Sequence, residues 1–407
     1  MSRLHRTGHE ARLFSAFDNA GLVAQVPTVF VDCGPDANAH PVLPLRGFLK
    51  CLEASNKLNL VLTASPATYA EFWDKYRPHR PKHPCFTLRT DQELAACVPI
   101  LLHADEGQTL KKKQLMILQF QPLFGAGSSR AAGLNYTGSS LTSRFLYSVM
   151  AARVYSKSKS ETLLNLTEHF ANELASLCAD GIVLGGRCYW LIPIGMKGDW
   201  PALCKLGQLT RHFLRNKSGE GKMVGICHMC KAGQRDQAWH ITDEQHMDTL
   251  HQDAGVPWTT PSPFTRIIPQ DPDKKPEFYR VDLFHTLHKG VFGDVNVMDF
   301  DLMGEGSVPV KLGVIFEDLQ KYCYDQSLQL HMSWFKGADT TSLCLYLESK
   351  YLTLIADNPE HEHKGYFCNI LETLKAANVF LKTLYHASVF FQAFAACANY
   401  AYSIGKA

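Results

Sequence analysis

The stretch "IPIGMKGDWPALCKLG", residues 192–207, joins an apolar run to a helix-like pattern through a single carboxylate, Asp199. The apolar run starts further back, in "RCYWLIPIG" (187–195), and is typical of a buried strand. Asp199 stands before Trp200 and Pro201, which is typical of a residue that caps a helix N-terminus. The same carboxylate could instead be a catalytic metal ligand, so the stretch leaves two interpretations open.

Four patterns upstream predict three further strands and a helix. "CVPILLHADEG" (97–107) and "KKKQLMILQF" (111–120) are apolar runs separated by polar residues, which predicts an antiparallel hairpin. "SRFLYSVMAARVY" (143–155) predicts a third strand. "SETLLNLTEHFANELASLCADG" (160–181) has apolar residues at helical spacing between a Ser and a Gly. Three strands, a helix, a strand and a helix together predict a mixed α/β sheet.

The bulk composition narrows the class of protein only coarsely. The chain has 407 residues, 46% of them apolar and 20% charged, which is enough for two or three domains with a sizeable core. A net charge of +2 neither indicates nor excludes nucleic-acid binding, because that depends on where Lys and Arg lie locally. Thirteen irregularly spaced cysteines without a secretory signal predict a reducing compartment and mostly free thiols.

One late apolar segment approaches the length of a membrane span. "ASVFFQAFAACANYAYSI" (387–404) contains Gln392, Asn399 and several small residues. No other part of the chain favours a membrane protein, so the segment is interpreted as a buried helix and no membrane association is predicted.

Two aspartates occupy related places in the predicted sheet. Asp105 ends the first strand and Asp199 follows the fourth. If those strands are neighbours, a rigid sheet edge holds both carboxylates as hard oxygen ligands for Mg²⁺ or Mn²⁺. Two such ions, about 4 Å apart, are a common device for phosphoryl transfer on nucleic acids. The alternative is structural: Asp105 sits in the hairpin turn and Asp199 is only a cap.

A Cys-x-x-Cys pair indicates a structural zinc ion. Cys227 and Cys230 in "ICHMCKAG" (226–233) supply half of a tetrahedral Zn²⁺ site. His285 and His288 are three residues apart, so on a helix both imidazoles share one face and could complete the site. The other histidines that compete as ligands are His228, His240, His246 and His251. The alternative is a pair of free thiols.

"GDWPALCKLG", "CHMC" and "DLFHTLHKG", in this order, resemble the middle of DDE-type cut-and-paste DNA transposases, whose core is RNase H-like. The catalytic half of the V(D)J recombinase shows a similar order. The resemblance spans about residues 97–400. It implies an RNase H-like mixed sheet, a mostly α-helical insertion that holds zinc, and a helical C-terminal region. It also implies that Asp105 and Asp199 are the first two catalytic acids, and that Asp282 and His285 match a later Asp-x-x-His motif.

The activity implied by this resemblance is metal-dependent phosphodiester hydrolysis and strand transfer on DNA. The family has a third acid, usually a Glu, late on a helix. Glu372 is the predicted third acid, and Glu348 is the alternative. Neither lies in a motif that matches the family, so the chain is also compatible with an inactive, decayed or domesticated copy. Two alternatives stay open: a non-catalytic DNA-binding or zinc-stabilised scaffold derived from a transposase, and an unrelated intracellular α/β protein.

The predicted organisation has four parts. The first is a partly helical N-terminal region (1–95) with a basic, proline-rich linker at 75–84, and the second is the first part of the RNase H-like core (96–218). An insertion with the Cys-x-x-Cys and the His pair (219–330) and a helical C-terminal part (331–407) follow. DNA is the predicted partner, a nuclear location is predicted, and a homo-oligomer is left open. Basic residues that could hold the DNA backbone are Lys111, Lys112, Lys113, Lys197 and Arg211.

Overall fold

A computed structural model gives the architecture. It describes residues 15, 19, 26–108, 113–124, 144–156, 161–211, 225–234, 237, 255–281, 307–328, 330 and 337–386. The strands, in chain order, are β1 (Val29–Val31), β2 (His40–Val42), β3 (Cys97–Gln108), β4 (Gln114–Pro122), β5 (Phe145–Ala151), β6 (Ile182–Leu184) and β7 (Arg187–Gly198).

The α-helices up to the end of the sheet region are α1 (Leu45–Ala54), α2 (Pro66–Tyr76), α3 (Cys85–Leu88), α4 (Asp91–Leu94), α5 (Ala152–Tyr155), α6 (Glu161–Ala179) and α7 (Trp200–Gly207). Those that follow are α8 (Pro263–Ile267), α9 (Val308–Asp325), α10 (Gly337–Asp357) and α11 (Lys364–His386). Short 3-10 helices cover Leu58–Leu60, Arg77–His79 and Pro272–Phe278. The chain is therefore mixed α/β, as the sequence predicts.

The central sheet has five strands in the order β5-β4-β3-β7-β6. β3 pairs antiparallel with β4, which confirms the predicted hairpin, and parallel with β7. β4 and β5 are antiparallel, and β6 is joined to β7 by a tight turn at Gly185 and Gly186, both with positive φ. The first and fourth predicted strands are thus direct neighbours at the centre of the sheet.

Helix α6 covers one face of this sheet. Its bounds agree with the predicted helix, and Gly181, with φ of 70°, lies two residues past its end. The Phe170 ring stacks on the Tyr147 ring of β5 at 4.0 Å, and the Cys178 thiol donates to the Leu191 carbonyl of β7 at 3.0 Å. Burying a ring such as that of Phe170 stabilises the fold by about 2–3 kcal/mol.

Three element boundaries differ from the sequence prediction. β3 continues to Gln108, so Asp105 lies within the strand and not at its end. The predicted third strand is shorter, because the chain turns into helix α5 after Ala151. The pattern "DWPALCKLGQLTRHFL" (199–214) predicts a longer helix than α7, which stops at Gly207. Gln208 adopts a left-handed conformation with φ of 52°, and the Thr210 amide bonds to the Pro257 carbonyl instead of continuing the helix.

The prediction of an extended linker at residues 75–84 is wrong. Arg77–His79 form a 3-10 helix, and Arg80 and His83 are buried. The Arg80 guanidinium donates to the Glu277 carboxylate at 2.5 Å, and the Lys82 amide donates to Asp271 at 3.0 Å. These acids come from the segment that flanks β7, so the basic residues are part of the fold.

Buried hydrophobic residues form two separate clusters in the described part of the chain. The first runs from Val26 to Tyr279 and includes the sheet, so residues on both sides of the predicted 95/96 boundary share one core. The second consists of residues of α9, α10 and α11, from Ile315 to Leu381. The helical C-terminal region is confirmed for these helices. The predicted domain boundaries themselves remain predictions.

All twelve cysteines in the described residues are free thiols, and the sequence predicts mostly free thiols. Within the same residues no helix combines the length and the apolar character needed to cross a bilayer. The apolar segment 387–404 lies outside the described residues.

Candidate functional site

The register of β3 and β7 brings the two predicted acids to matching positions. Ala104 of β3 is in register with Gly198 of β7, and this is the last pair between the two parallel strands. Asp105 and Asp199 are each the next residue along. Neighbouring strands lie about 4.8 Å apart, so the backbones of the two aspartates are adjacent although they are distant in sequence.

A glycine permits this close approach. A Cβ on Gly198 would lie far inside the 3.0 Å that real Cβ contacts essentially never show, and the atom that it would meet is the Ala104 backbone oxygen. A backbone atom cannot rotate away as a flexible side chain can. Gly198 is therefore required for the strand separation directly beside Asp105 and Asp199.

Asp199 is a helix N-cap in this structure. Its Oδ1 accepts a hydrogen bond from the Ala202 amide at 2.9 Å, with Pro201 in the first turn of α7. This hydrogen bond confirms that Asp199 caps the helix. A carboxylate has about four lone-pair sites, so a cap hydrogen bond does not prevent the same group from binding a cation. The cap hydrogen bond fixes the orientation of the Asp199 side chain, and a metal site requires that kind of positioning.

The two acids of β3 point to opposite faces of the sheet. Asp105 is exposed, and its in-register partner on β4 is Ile117. Glu106 faces the other way: its side chain is only 9% exposed and accepts from the Tyr155 hydroxyl at 2.5 Å and from the Lys205 ammonium. Burial, and after it the hydrogen bond to Glu106, raises the pKa of Tyr155.

Lys205 belongs to α7, so the ion pair with Glu106 fastens that helix to β3. This contact was not anticipated from the sequence, where Glu106 is only a neighbour of Asp105. The ion pair thus holds the helix that begins after Asp199 against the strand that contains Asp105.

The Cys-x-x-Cys segment forms a closed loop. The Ile226 amide bonds to the Ala232 carbonyl at 2.8 Å, and Gly233 turns the chain with φ of 74°. The Met229 amide donates to the Cys227 sulfur at 3.3 Å. A hydrogen bond from Cys230, the largest cause, lowers the pKa of Cys227, and the same bond raises the pKa of Cys230. The loop therefore favours a thiolate, which is the form that binds zinc.

This loop packs on the first turn of α7. The His228 ring lies 5.1 Å from the ring of Trp200, which follows Asp199, and its Nε2 bonds to the Tyr279 carbonyl at 2.6 Å. Burial lowers the pKa of His228 to about 4, so the ring is neutral. His228 thus anchors the loop through the backbone of Tyr279.

Arg211 bonds to the same loop, and its burial does not favour the predicted contact with DNA backbone. It is only 5% exposed, and its guanidinium donates to the carbonyls of Cys227 and Cys230 at 3.3 Å and of Gly255 at 3.0 Å. Burial lowers its pKa. Of the other predicted backbone contacts, Lys113 is exposed, Lys197 is partly buried, and Lys111 and Lys112 lie outside the described residues.

The predicted third acid is not assembled with the first two. Glu372 is an exposed residue of α11 whose carboxylate pairs with Lys375 at 2.7 Å. Glu348 accepts from the Asn378 amide at 2.6 Å. Over the described ranges, no group of three or more His, Cys, Asp or Glu side chains is placed to hold a metal ion. Asp282, His285 and His288 lie outside those ranges, as do His240, His246 and His251.

The residues present fit the two predicted metals to different extents. Asp105 and Asp199 provide two hard oxygen donors at one sheet edge, which suits Mg²⁺ or Mn²⁺ and leaves further positions for water and phosphate. Cys227 and Cys230 provide two soft donors on a preformed loop, which is half of a structural zinc site.

A scan against protein-family models finds no match for this chain, and no curated protein matches it. The features of this chain that bear on its function are therefore those of the site itself: the strand register, the helix cap and the thiol loop.

Replacing Cys227 by Ser is expected to remove bound zinc. Wild-type protein purified without chelator should carry about one zinc ion per chain, and the variant should carry close to none, since two facing thiolates are needed to start a tetrahedral site. Elemental analysis of the purified proteins measures this. Cys188→Ser is the matched control, because Cys188 lies on β7 outside the loop. Wild-type protein without zinc, or a variant with undiminished zinc, would exclude Cys227 as a ligand.

Proposed function

We propose that this chain is a transposase-like protein that hydrolyses phosphodiester bonds of DNA in a metal-dependent reaction and transfers the freed strand. In this proposal the five-stranded sheet is an RNase H-like core, Asp105 and Asp199 are its first two acids, and the Cys227–Cys230 loop is part of a zinc-bearing insertion. DNA is the partner, and the nucleus is the place of action.

One observation carries the proposal: Asp105 and Asp199 follow the same registered pair, Ala104 and Gly198, on neighbouring parallel strands. The order of the elements supports it. A first strand that pairs antiparallel with the second and parallel with a strand after the helix is compatible with the mixed sheet that the resemblance implies. The Cys-x-x-Cys loop then follows α7 and packs against it.

The side chains divide the work in the following way. A divalent cation bound between the aspartates would polarise the phosphodiester and lower the pKa of a bound water. Asp105 contributes an exposed carboxylate from a rigid strand. Asp199 contributes one that is oriented by its hydrogen bond to Ala202, and Lys205 keeps α7 docked through Glu106. Catalysis of this kind depends mainly on positioning, so these fixed contacts matter as much as the ligands.

A second function, a non-catalytic DNA-binding or zinc-stabilised scaffold, is favoured by a different observation. Asp199 has a structural task as a helix cap, and Glu372 lies on a helix of the second hydrophobic cluster. A site with two carboxylates holds a pair of metal ions less well than a site with three. Such a chain would keep DNA binding and zinc but lose hydrolysis.

Purified full-length protein is expected to nick supercoiled plasmid DNA in Mg²⁺ or Mn²⁺ and to be inactive in EDTA. Gel electrophoresis of the plasmid measures conversion from supercoiled to open-circular DNA. Binding of a short DNA duplex, followed by fluorescence anisotropy in EDTA, is measured in parallel. Nicking that persists in EDTA contradicts the metal mechanism. Binding without nicking under every metal condition supports the scaffold and rejects the enzyme.

A further inference from the structure

A row of polar side chains crosses the sheet face that carries Asp105. His103 of β3 is in register with Gln119 of β4 on one side and with Lys197 of β7 on the other. Side chains directly opposite each other on neighbouring strands share a face, and so do residues two apart along a strand. His103, Gln119, Lys197 and Asp105 therefore lie on one face.

The row is built by specific hydrogen bonds. The Nδ1 of His103 lies 3.1 Å from Oε1 of Gln119, and the Lys197 ammonium donates to Oε1 of Gln121. Gln121 is only 1% exposed. Both amide oxygens are used as acceptors, so the amide nitrogens remain as donors. A packed α/β sheet normally presents apolar side chains here, and the glutamines therefore need another explanation.

Two cations border Gln121 in this row. The Lys197 ammonium is partly buried and donates to Gln121, and the exposed Arg144 directly precedes Phe145, the in-register partner of Phe120. Among the described residues Lys197 has an amide oxygen as its partner and no carboxylate within salt-bridge distance. The nearest acid of the row is Asp105, which interacts with His103 and is exposed.

A partly buried ammonium without a carboxylate partner in the described part of the chain is costly, and a second cation beside it raises that cost. An anion that binds beside both cations would offset this cost and stabilise the folded chain. The row offers what a phosphate group needs: one charged donor from Lys197, one from Arg144, and neutral donors from Gln119 and Gln121.

We propose that Lys197, Arg144, Gln119 and Gln121 form a phosphate-binding site on the sheet face next to Asp105. The ligand is a phosphate group, either of a nucleic-acid backbone or of a free nucleotide or inorganic phosphate. The site binds without a metal ion and without cleavage. It goes beyond the proposed nuclease, because a non-catalytic DNA-binding chain would use it in the same way.

Lys197→Gln is expected to weaken binding of a short DNA duplex about eightfold at 0.1 M salt, measured by anisotropy in EDTA. Loss of one phosphate contact should lower the slope of log affinity against log salt by about 0.9 between about 50 and 200 mM. Arg144→Gln should act in the same direction, and Lys197→Arg should preserve binding. Lys321→Gln, which neutralises an exposed lysine of α9, is the matched control and should change neither quantity.

A second arm distinguishes the source of the phosphate. Inorganic phosphate and pyrophosphate are added separately, and the thermal midpoint of unfolding is followed. A rise in the midpoint for wild type but not for Lys197→Gln, without DNA binding, identifies a small phosphate ligand. Equal DNA affinity and equal phosphate response in wild type and Lys197→Gln would overturn the proposal. A loss of binding by Lys197→Gln is not expected to come from unfolding, because removing a partly buried charge should not lower the thermal midpoint.

The EDTA condition separates this test from the test of cleavage. Failure of the nicking assay leaves the anisotropy result intact, and unchanged anisotropy for Lys197→Gln does not bear on Asp105 or Asp199.

Discussion

Asp199→Asn is expected to lower metal-dependent DNA nicking by about 100-fold or more while leaving the stability of the chain almost unchanged. Asparagine caps a helix about as well as aspartate, so the hydrogen bond from the Ala202 amide survives. What the substitution removes is the negative charge that would bind a cation. Loss of a few kcal/mol of charge stabilisation in the transition state corresponds to a hundredfold or larger decrease in rate.

Asp199→Ala separates the two tasks of this residue. It removes the cap as well as the charge, so the free energy of unfolding should fall by about 1 kcal/mol in addition to the loss of nicking. Plasmid nicking and the thermal midpoint are measured for wild type, Asp199→Asn and Asp199→Ala under identical conditions. Asp105→Asn should match Asp199→Asn in activity, since Asp105 is exposed and caps no helix.

Ser65→Ala is the matched control for capping. Ser65 caps α2 by accepting from the Thr68 amide at 3.1 Å, so its loss should destabilise the chain by a similar amount without affecting nicking. If Asp199→Asn nicks DNA as fast as wild type while Asp199→Ala is merely less stable, then Asp199 is a cap and nothing more. The catalytic assignment would then fail even if the wild type is a nuclease.

Local signals were sufficient for the elements near this site. Apolar runs flanking a polar stretch predicted the β3–β4 hairpin, and helical spacing with a terminal glycine predicted α6. An acid before Trp-Pro indicated the cap of α7 as one of two interpretations. Each of these depends on residues within a few positions of one another. The sequence did not predict that β3 and β7 are neighbours, and the metal site was predicted only for the case that they are. Register between distant strands is set by packing of the whole sheet.

Long-range contacts explain what the sequence could not show. Residues 75–84 resemble a solvated linker until Glu277, 197 positions beyond Arg80, supplies a carboxylate. The row of His103, Gln119 and Lys197 resembles ordinary polar alternation in three strands, and its unusual charge becomes visible only when the register aligns it. The ion pair between Glu106 and Lys205 depends on α7 packing beside β3 in the same way.

Gly198→Ala is expected to disrupt both the fold and the site. The new methyl group would press on the Ala104 backbone oxygen, so β7 has to move away from β3 directly before Asp105 and Asp199. Overpacking of this kind costs about 1–3 kcal/mol, which should lower the thermal midpoint by about 2–12 °C. A displacement of about 1 Å between catalytic groups is enough to reduce nicking by about 100-fold, even in molecules that remain folded.

Gly313→Ala is the matched control, because the same substitution should have the opposite effect there. Gly313 lies inside α9 with no atom within 4 Å of a Cβ at that position. Alanine in a helix interior is favoured over glycine by about 0.5–1 kcal/mol, so the thermal midpoint should rise and nicking should not change. Nicking is measured at a temperature where both variants are folded. Full activity of Gly198→Ala at that temperature would show that the close approach of β3 and β7 is unnecessary for catalysis, and the two aspartates would then not share a metal ion at this sheet edge.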